Sequence, residues 1–165
     1  MRFSKTLTGL LATLALVSCQ PSYADVVGVT GGHWSKHFIS DTVTNEEHAW
    51  VSFRYNWFTI GRFNNSYKQV GFSGESYHIG VIHDFELIDD VGPWNGRVVG
   101  KLSGGLMRGY TTFAGHDWSN KDVTPYLAGG PFFQQAIGQD GFEAEVGVML
   151  LGDAALPSAG LMYRF

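Results

Sequence analysis

The sequence ends with Ala159-Gly160-Leu161-Met162-Tyr163-Arg164-Phe165, a segment that has the two-residue alternation of a β-strand. One face of this strand would carry an alanine, a leucine and two aromatic residues, whereas the other would carry Gly160, Met162 and Arg164. Chain termini fray unless something ties them down, and a closed barrel ties its last strand to its first. The segment therefore predicts the closing strand of a β-barrel.

The same alternation occurs in three internal segments, Trp50–Trp57, Arg97–Met107 and Phe142–Leu150. Each has one apolar face and one face that bears charge. The charges that this alternation places on the polar faces, with that of the last strand, include Arg54, Lys101, Glu143, Glu145 and Arg164. The interior of an eight-stranded barrel is just wide enough for side chains to fill it, so opposite charges could pair there while aromatic residues face lipid. We interpret the charged faces as the lumen of an outer-membrane barrel, with a soluble, lipocalin-like barrel as the alternative.

The start of the chain has the organisation of an export signal. A basic segment is followed by the apolar run Leu7–Val17 and then by Ser22-Tyr23-Ala24, which predicts cleavage after Ala24. Residues 1–24 would be the signal peptide and residues 25–165 a single β-barrel domain. An alternative is lipoprotein processing, because Leu16-Val17-Ser18-Cys19 fits a lipobox with Cys19 acylated. Both routes lead out of the cytoplasm.

The composition narrows the function classes. Charged residues are 16% of the chain, below the usual ~25%, and 22 of the 165 residues are glycine. The formal net charge of −4 and the lack of a basic patch argue against nucleic acid as a partner. After cleavage the chain would hold no cysteine, which excludes disulfide and thiol chemistry. No cofactor is indicated, and we expect a monomer.

The alternation and the turn residues predict eight antiparallel strands. Their expected ranges are 26–37, 48–56, 58–65, 67–81, 95–109, 124–134, 141–150 and 157–165. Tight turns are expected at Asn56-Trp57 and at 138–141, and longer connections at 38–47, 82–94 and 110–123. An even number of strands puts both termini on the periplasmic side and the connections after strands one, three, five and seven at the outer surface.

This topology brings two polar groups to the outer rim. The first outer connection begins near His37, and the second contains Asn65-Ser66. A histidine beside a serine suits acyl transfer, since imidazole can take a proton while an oxygen attacks a carbonyl. The alternative is that both side chains are solvent-exposed loop residues without a catalytic role.

Several short motifs appear in a characteristic order. They are Trp34-Ser35-Lys36-His37-Phe38, Asn45-Glu46, Arg62-Phe63-Asn64-Asn65-Ser66-Tyr67-Lys68, Thr124-Pro125-Tyr126-Leu127-Ala128-Gly129-Gly130-Pro131 and Met162-Tyr163-Arg164-Phe165. In this order the chain resembles the outer-membrane lipid A palmitoyltransferase family, from about residue 33 to the end. The resemblance implies an eight-stranded barrel in the bacterial outer membrane that moves a palmitoyl chain from phospholipid to lipid A. It also implies an interior that holds the acyl chain, and a histidine and an Asp-Ser pair at the outer rim.

Carried over by position, the family's histidine corresponds to His37 and its Asp-Ser pair to Asn65-Ser66. His37 would act as a base or orienting group, Ser66 as the hydroxyl and Asn65 as hydrogen-bonding support. Asn65 departs from the family, because a neutral amide cannot stabilise an imidazolium by charge. The amphipathic helix that precedes the family's first strand is also missing, so the chain would be a divergent member.

Two prolines are candidate lipid-access residues. Proline cannot donate to a strand ladder, so Pro125 and Pro131 would leave gaps in the wall, which in the family admit lipid sideways. A strand start at Pro125 and a bulge at Pro131 are the alternative.

His33 and His37 have a metal-binding spacing only on a helix, and their segment has the pattern of an extended strand, so no metal site is predicted. The remaining histidines are expected at interfaces or on the surface, namely His48, His78, His83 and His116.

The rival function is a non-catalytic outer-membrane barrel with a role in envelope integrity, adhesion or surface exclusion. In either case the expected partners are phospholipid and lipopolysaccharide. A diffusion pore is disfavoured, because inward charges leave little open lumen in so narrow a barrel.

Overall fold

The structure is a computed structural model that describes residues 25–38, 47–64, 75–94, 96–108, 112–113, 116–117, 123–138, 140–152 and 154–165. The predicted signal peptide and the alternative lipobox lie outside the described residues. Among the residues that are described, no helix is long and apolar enough to cross a membrane.

Eight long antiparallel strands form a closed barrel, as the alternation predicts. They are β1 (Val26–Trp34), β2 (Glu47–Tyr55), β3 (Phe58–Asn64), β4 (Glu75–Val91), β5 (Gly96–Arg108), β6 (Thr124–Ala136), β7 (Phe142–Leu151) and β8 (Ala154–Arg164). Neighbours along the chain pair with each other, and β8 also pairs with β1, so the sheet has no free edge among these strands. The terminal segment is therefore the closing strand, with Val26 opposite Arg164.

Three shorter pieces complete the described structure. The two-residue strand Lys36–His37 continues the course of β1 and pairs with the start of β8. Thr112–Phe113 and His116–Asp117 form a separate small hairpin in the connection that follows β5.

The two ends of the barrel differ in their connections. One end, called the turn end, carries the short connections after β2, β4 and β6 and both described termini, where the Phe165 N–H donates to the Asp25 carbonyl at 3.0 Å. The other end, called the loop end, carries the connections that follow β1, β3, β5 and β7. The turn at Asn56-Trp57 is as predicted, and Asn56 adopts φ 52°, a left-handed conformation that asparagine tolerates.

The fourth strand differs from its prediction. It was expected over 67–81, followed by a long connection over 82–94. Residues 67–74 lie outside the described residues, but the strand described from Glu75 continues to Val91, and a 3-10 turn at Gly92–Trp94 follows it. Residues up to Val91 pair with β5, although the register shifts twice near the turn end. The segment resembled a loop because it is acidic. One of these acidic residues, Asp84, bonds to Arg54, at 2.7 Å from Oδ2 to Nη1.

The side chains follow the predicted division between the two faces of the sheet. Large apolar side chains cover the outside, and Phe53 and Trp57 are each 58% exposed. Several charged side chains point inward, and Lys101 and Glu145 are only 3% and 1% exposed, whereas others, such as Arg62 and Arg108, are exposed. The polarity of the barrel is thus inverted relative to a soluble protein, in which charged residues are almost never fully buried unless paired.

Candidate functional site

The lumen contains a hydrogen-bonded hub at Glu145. Its Oε1 accepts a bond from the Thr30 hydroxyl at 2.6 Å, and its Oε2 accepts bonds from Lys101 Nζ and, at 3.1 Å, from Gln134 Nε2. These partners lie on three other strands, β1, β5 and β6, so the hub spans the lumen. Lys101 Nζ also sits 4.8 Å from the centre of the Phe132 ring. The hub therefore joins four strands across the lumen.

Further ion pairs fill the lumen between this hub and the turn end. Glu143 bridges two arginines, with Oε1 2.6 Å from Arg97 Nη2 and Oε2 2.8 Å from Arg164 Nε. A separate pair, Arg54 and Asp84, lies nearby on β2 and β4. This half of the lumen therefore holds paired charges together with buried apolar side chains such as Val26 and Val99.

The half of the lumen towards the loop end contains an apolar cluster beside several polar side chains. A buried cluster there is formed by Phe63, Met107, Tyr126 and Ala128, with Trp50, Met149 and Leu151 packed against it. We call these seven residues the apolar cluster. They come from β2, β3, β5, β6 and β7, so apolar side chains line this half on most of its circumference.

A chain of polar groups lies on the lumen side next to the apolar cluster. The Ser52 hydroxyl is 3.2 Å from His78 Nε2 and 2.7 Å from the Thr59 hydroxyl. The His78 ring meets the Tyr126 ring edge-on at 5.6 Å, and the Tyr126 hydroxyl is 3.1 Å from the Ser103 hydroxyl. The expectation of a surface or interfacial position for His78 is wrong. Its neighbours of like parity on β4, Ser76 and Gly80, are the signal that would have placed it inside.

Three buried polar atoms near the apolar cluster lack a hydrogen-bond partner within the described part of the chain. They are Ser35 Oγ, Ser76 Oγ and Trp50 Nε1. Trp50 and Ser76 flank Phe63 on one rung of the sheet, since Phe63 pairs with Trp50 on one side and with Ser76 on the other. A buried donor without a partner costs about 1–3 kcal/mol. These groups are therefore available to a ligand that brings a polar atom to this end of the lumen.

His37 lies at the loop end, where its strand pairs with Ala154 of β8 and its side chain is half-buried. Asn65 and Ser66 lie outside the described residues. The chain leaves β3 at Asn64 and returns at Glu75, and these two residues lie at the same end of the barrel as His37. The Lys36–His37 strand continues the course of β1, and β2 is the one long strand between β1 and β3 in the sheet.

Pro131 coincides with an interruption of the wall. The pairing of β6 with β7 runs as far as Phe132 opposite Gly147, then skips two positions and resumes at Gly129 opposite Leu150. Pro131 stands in the skipped stretch, where its missing N–H removes one donor. Pro125 lies beyond the end of this ladder, and its pairing with Leu106 of β5 is continuous. Of these two prolines, only Pro131 therefore coincides with a break in the wall.

A second interruption involves Pro157, which the sequence interpretation did not single out. Pairing of β1 with β8 ends at Gly31 opposite Ala159, and it resumes only at Lys36 opposite Ala155. Pro157 and the register irregularity between Gly32 and Trp34 occupy the gap. The pairing of the β7–β8 hairpin with both neighbouring strands, β6 and β1, thus has a gap towards the loop end.

No group of three or more potential ligands that could hold a metal ion occurs among the described residues. His33 is exposed on the outside of β1, whereas His37, which follows the register irregularity in β1, is half-buried.

No protein-family model and no curated protein matches the chain. The candidate site therefore rests on the geometry of the barrel itself.

Proposed function

We propose that the protein is a β-barrel of the bacterial outer membrane that acts as a lipid acyltransferase similar to the lipid A palmitoyltransferases. The observation that carries the proposal is the position of the apolar cluster towards the loop end, beyond the network of charges around Glu145. An acyl chain needs a dry, apolar site, and a floor of paired charges would set the depth to which it enters.

The membrane location is supported by the inverted polarity of the barrel. Transmembrane barrels present an apolar band with aromatic residues near its borders to the lipid, and keep polar residues inside. On this barrel, Phe142, Tyr163 and Phe165 pack against one another on the outside of the turn end, with neighbouring ring centres 4.7 and 5.7 Å apart. Such rings suit the periplasmic interface of the membrane.

In the proposed reaction, a hydroxyl of lipopolysaccharide attacks the ester carbonyl of a phospholipid held at the rim. His37 takes the proton from the attacking hydroxyl and returns it to the leaving oxygen of the lysophospholipid, so the acyl chain is exchanged without net proton release. Ser66 and Asn65 would provide hydrogen bonds to these oxygens. The break at Pro131 would give the phospholipid chain a lateral route to the apolar cluster.

The test is mass spectrometry of lipid A and phospholipids from Gram-negative cells that express the wild type or single variants. His37→Ala and Ser66→Ala should each abolish the modified lipid A, whereas His33→Ala, on the exposed side of the preceding strand β1, should leave it unchanged. Ser52→Ala and His78→Ala test whether the serine–histidine pair inside the lumen carries the chemistry instead. An unchanged lipid profile in cells with the wild-type barrel would refute the enzyme.

The second candidate is a non-catalytic barrel that supports envelope integrity. It is favoured by the packing of the apolar cluster, in which Phe63 and Met107 are only 8% and 4% exposed, so the protein's own side chains occupy much of that half. This candidate predicts a detergent-sensitivity phenotype on deletion that His37→Ala and Ser66→Ala both rescue.

A further inference from the structure

Every long strand of the barrel has two neighbours, but β4 extends well beyond β3 at the turn end. Its ladder with β3 ends at Val81, and one further bond joins the Ile82 N–H to the Trp57 carbonyl at 2.8 Å. On its other side, β4 continues to pair with β5 as far as Val91. Residues 83–91, about 30 Å of strand, therefore have a ladder partner on one side only within the described part of the chain. We call this segment the β4 overhang.

The backbone of the overhang offers hydrogen-bonding groups to a further strand. In an antiparallel sheet, the N–H and C=O groups of alternate residues point to the same side of a strand. Since the Ile82 N–H bonds on the side of β3, the N–H and C=O groups of Asp84 and Glu86 point to that side as well. The register shifts in the pairing with β5 come only after Glu86. A row of unpaired backbone groups of this kind is a template for an added strand.

The side chains of the overhang are exposed on both faces of the sheet. Six consecutive residues are exposed here, whereas exposed and buried residues alternate along β3. The six are Phe85, Glu86, Leu87, Ile88, Asp89 and Asp90. Carboxylates are costly within hydrocarbon, so this run would lie in water beyond the turn-end border of the membrane. Its three apolar side chains, which are 45% to 58% exposed, would then be covered neither by the barrel nor by lipid.

The charge of the overhang selects the kind of strand that can pair with it. Its three exposed carboxylates, those of Glu86, Asp89 and Asp90, lie within five residues. The overhang of a second copy would bring the same carboxylates together, and like charges opposed across a ladder destabilise the pairing. A strand with lysine or arginine side chains would instead place opposite charges across the ladder, and its apolar side chains would cover those of the overhang.

We infer that the β4 overhang binds an extended, basic segment of another protein, which adds to the sheet as a strand next to β4. Backbone bonds to Asp84 and Glu86 supply the affinity in this mode of recognition, and the carboxylates select the partner. On the proposed topology the turn end faces the periplasm, so the partner would be a protein of that compartment. The inference goes beyond the acyl transfer and does not depend on it.

The experiment measures the fluorescence anisotropy of labelled peptides mixed with the purified, refolded barrel in a non-ionic detergent. The probe is a peptide as long as the overhang in which lysine alternates with valine. One control peptide has glutamate in place of lysine. A second is the basic peptide with every backbone nitrogen methylated, which keeps the charges but removes all backbone donors. The wild type should bind the basic peptide at least tenfold more tightly than either control.

Variants of the overhang separate the backbone from the charge. Glu86→Pro and Glu86→Gln remove the same carboxylate, but only the proline removes the N–H on the open side of β4. Glu86→Pro should therefore bind the basic peptide about fivefold more weakly than Glu86→Gln. Glu86→Gln/Asp89→Asn/Asp90→Asn should raise the dissociation constant about tenfold, because several weak ion pairs are lost together. Asparagine suits Asp90, which adopts φ 53°. Asp140→Asn is the control and should change the constant less than twofold, because Asp140 is an exposed residue of a different turn-end connection.

The inference is overturned if the wild type binds the basic and acidic peptides equally, or if the methylated peptide binds within twofold of the unmethylated one. Both comparisons use the wild type, so they do not depend on the folding of the proline variant. A dimer of the unliganded barrel that Glu86→Pro dissociates would assign the overhang to a second copy and would also overturn the inference. The lipid A profile tests the acyltransferase separately, so its failure remains distinguishable from a failure of the overhang.

Discussion

Lys101 and Glu145 form a buried ion pair across the lumen, although their strands β5 and β7 are not neighbours in the sheet. Gln134 lies on the intervening strand β6 and donates to the same carboxylate oxygen. The pair therefore has the additional hydrogen bonding that a buried pair needs to offset the desolvation of its charges. This arrangement leads to a specific expectation about single and paired substitutions.

Replacing one partner of this pair should destabilise the barrel strongly. Glu145→Leu leaves the Lys101 ammonium buried without a carboxylate, which should lower the free energy of unfolding by about 3–5 kcal/mol. Lys101→Met/Glu145→Leu removes both charges and should regain most of that loss. The measurement is urea unfolding in detergent micelles. Arg97→Gln is the control, because Arg97 is more exposed and Glu143 keeps Arg164, so the loss should be about 1 kcal/mol or less. A double variant less stable than Glu145→Leu would contradict this account.

The break in the wall at Pro131 should be repairable. Pro131→Ala supplies an N–H that can donate to β7, which should add about 0.5–1.5 kcal/mol to stability. Pro125→Ala is the matched control, since it loosens the unfolded chain equally but lies beyond the end of β7 and gains no donor partner there. The difference between the two free energies of unfolding isolates the hydrogen bond. Equal values for the two variants would show that the gap is not caused by the missing donor.

Two adjacent glycines of β5 should respond differently to a methyl group. A Cβ on Gly105 would lie against the carbonyl oxygen of Ile79 and the Cα of Gly80, both backbone atoms that cannot move aside. Gly105→Ala should therefore lower the unfolding free energy by about 1–3 kcal/mol. A Cβ on Gly104 would meet only ordinary contacts, 3.5 Å from the Tyr126 carbonyl oxygen, and Gly104→Ala should be neutral or stabilising by up to about 1 kcal/mol. Unfolding curves of both variants and the wild type, measured under the same conditions, give the free energies of unfolding that check this expectation.

A charged substitution on the outside distinguishes a membrane barrel from a soluble one. Phe53 is well exposed, so Phe53→Arg would be tolerated in water, but within hydrocarbon it should lower stability by about 2–4 kcal/mol. The measurement is the fraction of heat-modifiable, folded protein recovered in outer-membrane vesicles. Trp57→Arg is the control, because Trp57 lies in the turn after β2 and would meet the interface. Full recovery of folded Phe53→Arg would favour the soluble alternative.

Much of the barrel could be predicted because β alternation is a local signal. The segments around Phe53 and Val146 have one apolar and one polar face within a few residues, and both became strands of the closed sheet. The local sequence pattern could not assign Asp84 to a strand in the same way. Its neighbours are acidic, and its partner Arg54 is 30 residues away, so the sequence around it resembled a loop.

The candidate site was predicted less completely for a similar reason. His37 follows a strand and could be assigned to one end of the barrel by strand order alone. The hydrogen bond between Ser52 and His78 depends on β3, which lies between their strands, and on small residues such as Gly61 that let His78 approach. Contacts of this kind depend on which rungs face each other across the sheet, and no local pattern encodes that register.

The bond between Thr30 and Glu145 joins residues 115 positions apart in the chain. Because Thr30 lies on the first strand and Lys101 and Gln134 lie on β5 and β6, the carboxylate gains its full set of partners only when the sheet has curled shut. A partly formed sheet would expose the same charges to lipid or leave them unsatisfied. The folding of this barrel should consequently be highly cooperative, with curling and closure coupled in one late step and few stable open intermediates.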